Sequence, residues 1–93
     1  MQSKEAAVIV PNEILRAARS ALGMSQAELA ELSGVGQRTI LRVERNERVA
    51  IRTLERLRAA LEARGVEFLA SEAGHGPGLR IPLQQIKRDD LRV

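Results

Sequence analysis

The stretch Ser25-Gln-Ala-Glu-Leu-Ala-Glu-Leu-Ser-Gly-Val-Gly-Gln-Arg-Thr-Ile-Leu-Arg-Val-Glu-Arg-Asn46 decides how this chain folds, because it reads as two short helices joined by a tight turn. Ser25 can cap the first of them while Glu28, three residues on, reaches back to the N–H of the cap, and Leu29 and Leu32 follow at once. Leu29, Ala30 and Leu32 make an apolar stripe, and Ser33-Gly34 ends the helix by letting the backbone turn. Ile40 and Val43 continue the apolar spacing on the second helix, with Gly36 in its N-cap place, over about residues 37 to 44. Gln37, Arg38, Thr39 and Arg42 stand on the second helix beside Ile40 and Val43.

On the N-terminal side, the β-favouring run Ala-Ala-Val-Ile-Val at 6–10 is stopped by Pro11 and suits a short strand or a partly ordered arm. Asn12 is the expected N-cap of a further helix, whose Ile14, Leu15, Ala18 and Leu22 share one face and which ends at Gly23. On the C-terminal side, Leu54, Leu57, Ala60 and Leu61 describe a fourth helix from Ile51, closed by Gly65, with its apolar face expected on the first and third helices. The period then changes to two: Val66 and Phe68 alternate with Glu67, and Leu79, Ile81 and Leu83 with Arg80 and Pro82, which predicts two strands of four or five residues. Gly74-His75-Gly76-Pro77-Gly78 is the loop between them. So small a hairpin must lie on the helices or pair with another chain. The fold class is mainly α, with an arm over 1–11, four helices over 12–64, a hairpin over 65–83 and a charged tail over 84–93 in which a short helix could form.

Ninety-three residues make one domain by length, and a chain this short buries only ~60–65% of its unfolded surface, so a second copy would add needed core. There is no cysteine, which excludes disulfides and cysteine-ligated zinc, and no metal or cofactor is expected. No apolar run approaches the ~20 residues of a membrane span and the N-terminus lacks the pattern of a secretory signal, so a soluble, cytoplasmic protein without membrane contact is expected. The net charge of +3 is concentrated: residues 38–58 hold seven arginines against three glutamates. Such a patch suits a nucleic-acid partner, the alternative being a solvated arginine-rich helical face.

In this order, Ser25-Gln26, Leu29-Ala30, Gly34-Val35-Gly36, Ile40, Val43-Glu44 and Asn46 resemble the phage repressor and Cro family of helix-turn-helix regulators, the XRE type. The likeness covers about residues 12 to 64. It implies a four-helix DNA-binding domain whose third helix enters the major groove. There Gln37 could bond an adenine, Arg38 a guanine or a phosphate, Thr39 a thymine methyl, and Arg42, one turn after Arg38, a base or the backbone. The resemblance further implies that Gln26 touches phosphate and braces Gln37, that Arg45, Arg48 and Arg52 grip the DNA backbone, and that Arg19 and Glu44 form a structural salt bridge. Two residues depart from the family pattern. Leu41 stands in place of a small polar residue, facing solvent, a thymine methyl or a partner chain, and Asn46 stands where glycine is commonest, although asparagine tolerates the left-handed conformation.

Nothing suggests an enzyme. His75, the one histidine, sits in a glycine-rich loop without a carboxylate pair, and that loop lacks the Gly-Lys-Ser/Thr end of a phosphate loop. The expected function is a sequence-specific transcriptional regulator, in the repressing sense, that binds a near-palindromic operator on double-stranded DNA as a homodimer. Phe68, Leu69, Leu79 and Ile81 are the expected dimerisation residues, on the argument that a strand edge and apolar area invite a second copy. One alternative is an antitoxin or antiactivator whose C-terminal segment binds a toxin or activator and whose DNA binding serves autoregulation. Another is a helical domain that keeps the fold without binding DNA.

Overall fold

The structure, a computed structural model, describes residues 10–85. Within them the chain forms helices α1 (Asn12–Ala21), α2 (Gln26–Ser33), α3 (Gln37–Glu44) and α4 (Ile51–Ala63), then strands β1 (Glu67–Leu69) and β2 (Gly78–Arg80), and a 3₁₀ turn over Leu83–Gln85. Four helices and a two-stranded antiparallel hairpin make the mainly α architecture expected. The N-terminal strand or arm before residue 10 and the tail beyond residue 85 lie outside the described residues.

Each helix end has a local cause. Pro11, extended at ψ 154°, caps α1, and its carbonyl accepts the N–H groups of Ile14 and Leu15 at 3.0 and 3.1 Å. The helix therefore starts one residue earlier than expected: Asn12 is its first residue rather than its cap, because proline already has the φ that leads into a helix. Ser25 and Glu28 form the expected capping box on α2. At the C-terminal ends of α1, α3 and α4, Gly23, Asn46 and Gly65 turn left-handed, with φ of 69°, 66° and 95°. In each case the next N–H folds back five residues: Met24 to Arg19, Glu47 to Arg42 and Val66 to Leu61, at 2.9–3.2 Å.

Leu15, Ala18, Met24, Leu29, Val35, Ile40, Val43, Leu57, Ala60, Leu61 and Val66 form one buried cluster. α4 packs mainly on α1 and α2, a correction to the expected seat on the first and third helices. The reason is that α3 already gives its inner face to α1 and α2, and its remaining face carries arginines.

The hairpin is shorter than expected, three residues per strand, because Pro77 and Pro82 flank β2 and neither can donate to a ladder. Leu83, expected to continue the inward alternation, lies in the 3₁₀ turn and is 71% exposed. Phe68 faces Leu79 across the strands, and the same register carries on to Glu72 and His75, whose backbones exchange hydrogen bonds of 2.9 and 3.0 Å. The tip is thus Ala73-Gly74, both at positive φ, rather than the whole of Gly74–Gly78. Phe68, Leu79 and Ile81 pack against the core cluster, so the hairpin lies on its own helices. The Arg58 guanidinium stands 6.0 Å from the centre of the Phe68 ring.

Candidate nucleic-acid interface

The two helices of the Ser25–Asn46 stretch are fixed to α1 through one carboxylate. Arg19 Nε donates to Glu44 Oε2 at 2.7 Å, and Arg19 Nη2 donates to Glu44 Oε1 at 2.9 Å. The third nitrogen, Nη1, donates to the Met24 carbonyl at 2.6 Å. Gln26 Nε2 donates to Glu44 Oε1 at 2.9 Å, so α1, α2 and α3 meet at Glu44. The Arg19 and Glu44 side chains are 17% and 7% exposed. Burial pushes the Glu44 carboxyl up, but the bonds from Arg19 and Gln26 and the charges of Arg19 and Arg16 outweigh it and hold the pKa below the ordinary glutamate value.

Ile40 and Val43 are the buried residues of α3. Helical spacing then puts Arg38, Leu41, Arg42 and Arg45 on one outward stripe, and all four are exposed. Gln37 begins the helix and is exposed, while Thr39 is half-buried at the edge of the stripe. Leu41 is 38% exposed, an apolar side chain in the middle of an otherwise basic face. Arg48 and Arg52 are exposed in the following loop and at the start of α4.

Gln26 donates to Glu44 rather than to Gln37, the partner the resemblance implied. The carboxylate is the stronger acceptor, and it is already held in place by Arg19. Arg42 is also engaged: its Nε donates to Glu47 Oε1 at 3.2 Å and its Nη2 to the Arg48 carbonyl at 3.3 Å. Thr39, Arg42, Arg48, Val49, Ala50 and Thr53 line a shallow hollow beside this contact. Asn46 adds a tie of its own, Nδ2 donating to Glu13 Oε2 at 3.3 Å, which joins the end of α3 to the start of α1.

A helix-turn-helix family profile matches residues 15–68, more than half of the chain, from α1 into β1. The chain belongs to the XRE-type helix-turn-helix family. It is a DNA-binding regulator of that type, and the family is generally non-enzymatic. No curated protein matches the chain. Among the described residues of this XRE-type regulator no helix is long and apolar enough to cross a membrane.

Besides the Gln26–Glu44 bond, two contacts around α3 escaped the sequence reading. Glu47 lies beyond the end of α3, five residues from Arg42, where no helical period applies, and Glu13 and Asn46 are 33 positions apart. The left-handed residue at Asn46 was the available signal, because it returns the chain over the last turn of α3.

Proposed function

We propose that this regulator is a sequence-specific transcriptional repressor that acts in the cytoplasm and binds a near-palindromic operator as a homodimer. The observation that carries the reading is the outward face of α3: Arg38, Arg42 and Arg45 project from a helix whose opposite face is buried at Ile40 and Val43. A major groove admits one α-helix and offers each base pair's own donor and acceptor pattern. Gln37 and Arg38, at the N-terminal end of α3, read base edges, with Thr39 and Arg42 beside them. Gln26, Arg45, Arg48 and Arg52 set the register on phosphates. The Arg19–Glu44 pair keeps α1 and α3 in fixed relation under this face.

In the dimer the two copies of α3 enter successive major grooves ~34 Å apart. The hairpin joins the copies. Phe68, Leu79 and Ile81 form its inner face, packed on the core, so Leu69, which alternation turns away from Phe68, is the apolar group it offers to a second chain.

Selection of bound sites from random duplex DNA tests the reading. The expected result is a dyad of half-sites about 10–10.5 base pairs apart, centre to centre. Gln37→Ala or Arg38→Ala then weakens binding to that site by ~1–3 kcal/mol per lost base contact. An unchanged site preference in both variants removes these residues from base reading, and a selected site without dyad symmetry overturns the dimer.

A further inference from the structure

Glu47 is the acidic group set into the basic face, and its place there is built by the backbone. With Asn46 left-handed at φ 66°, the Glu47 N–H returns to the Arg42 carbonyl at 2.9 Å. The same turn brings the Glu47 carboxylate to Arg42 Nε at 3.2 Å, while the Arg48 carbonyl accepts from Arg42 Nη2 at 3.3 Å. The guanidinium is therefore held at the C-terminal end of α3, over the loop. Both side chains of the pair stay open to water, 53% exposed for Arg42 and 44% for Glu47, so the contact contributes little to folding and is easily exchanged for another.

We propose that Glu47 is a specificity-determining positioning residue, which keeps Arg42 from phosphates on random DNA and yields it only to a better acceptor in the specific site. The inference rests on the DNA-binding reading of α3. A single phosphate replaces one carboxylate with one anion and gains little by the exchange. A guanine edge accepts two parallel hydrogen bonds from one guanidinium, and its geometry is available only when α3 is seated in register. Holding Arg42 back in this way weakens non-specific binding more than specific binding, and so widens the ratio between them.

The test compares the full chain with Glu47→Gln, Arg42→Gln and the double variant, each titrated with a random-sequence duplex and with the duplex recovered by selection, across salt. Glu47→Gln is expected to bind the random duplex more tightly at low salt. Its log K against log salt should be steeper by about 0.9, one extra phosphate contact, so that a fourfold rise in salt costs it about 3.5-fold more affinity than the wild type. On the selected duplex the slope should match the wild type, and the specificity ratio should fall. In the Arg42→Gln background the steepening should vanish. Equal slopes for wild type and Glu47→Gln on random DNA overturn the proposal, as does a steepening that persists without Arg42, which would make Glu47 a simple repelling charge. If the wild type binds no duplex in a salt-dependent way, the DNA reading of α3 falls and takes this inference with it.

Discussion

Replacing Arg19 with methionine would leave the Glu44 carboxylate, only 7% exposed, with the Gln26 amide as its one remaining partner among the bonds described above. Breaking a largely buried pair from one side costs about 3–5 kcal/mol, and because Arg19 keeps some contact with water the lower end, about 3 kcal/mol, is expected in urea unfolding of Arg19→Met. The pH dependence follows from the same contact. Glu44 has a folded pKa below its unfolded one, so its contribution is complete above the ordinary glutamate range and is lost as pH falls through the lower, folded value. Unfolding free energy should therefore drop on acidification below that range, and Arg19→Met should flatten the drop; an equal acid slope in both proteins would exclude Glu44 as its source. The pairing of residues 25 positions apart was accessible only through a family resemblance, since no helical or strand period links Arg19 to Glu44. The bond from Gln26 to Glu44 has no such guide, since the resemblance pairs the amide with Gln37 and phosphate.

At the level of elements, helices were the legible part, because their ends are written in residues with local effects: Ser25 and Glu28 at one start, and Gly23, Gly34 and Gly65 at three ends. Gly65 carries two constraints at once. Its φ is 95°, and a Cβ there would run into the ring of Pro82, which returns from the hairpin to lie against the end of α4. Gly65→Ala should therefore cost at least the ~1–3 kcal/mol of a strained backbone position, read as a lowered urea midpoint at constant m. Gly76→Ala, with no positive φ and open space around its Cβ, is the control and should change stability by less than about 1 kcal/mol. The hairpin was legible as a change of period but not in detail. Its tip uses Ala73 at φ 44°, a residue that gives no turn signal, so the glycine-rich run after it drew the loop one residue too late. The seat of α4 was also beyond sequence spacing, since an apolar stripe says that a helix packs but not on which neighbours.

For the molecule as a whole, the hairpin has one face packed on the core and one turned away from it, and substitutions should separate the two. Phe68 packs on the core cluster, so Phe68→Ala should lower the stability of the single chain by about 2 kcal/mol, less than full burial would give. The proposed homodimer predicts that Leu69→Lys, on the other face, leaves the thermal midpoint within a few degrees and abolishes association in sedimentation at concentrations where the wild type self-associates. A Leu69→Lys protein that remains dimeric would move the interface away from the hairpin. The basic face of α3 followed directly from the residue order, whereas Glu47 within it depended on a backbone turn that only the folded chain reveals. The Glu44 carboxylate, which accepts from both Arg19 and Gln26, also sets how this fold comes apart. Opening α1 or α3 leaves the charge of its partner uncompensated, whereas opening α2 removes only the neutral Gln26 donor, so separate fraying of α1 or α3 is opposed. α1 and α3 are therefore expected to open together, so that α3 neither melts nor tilts without carrying α1 along.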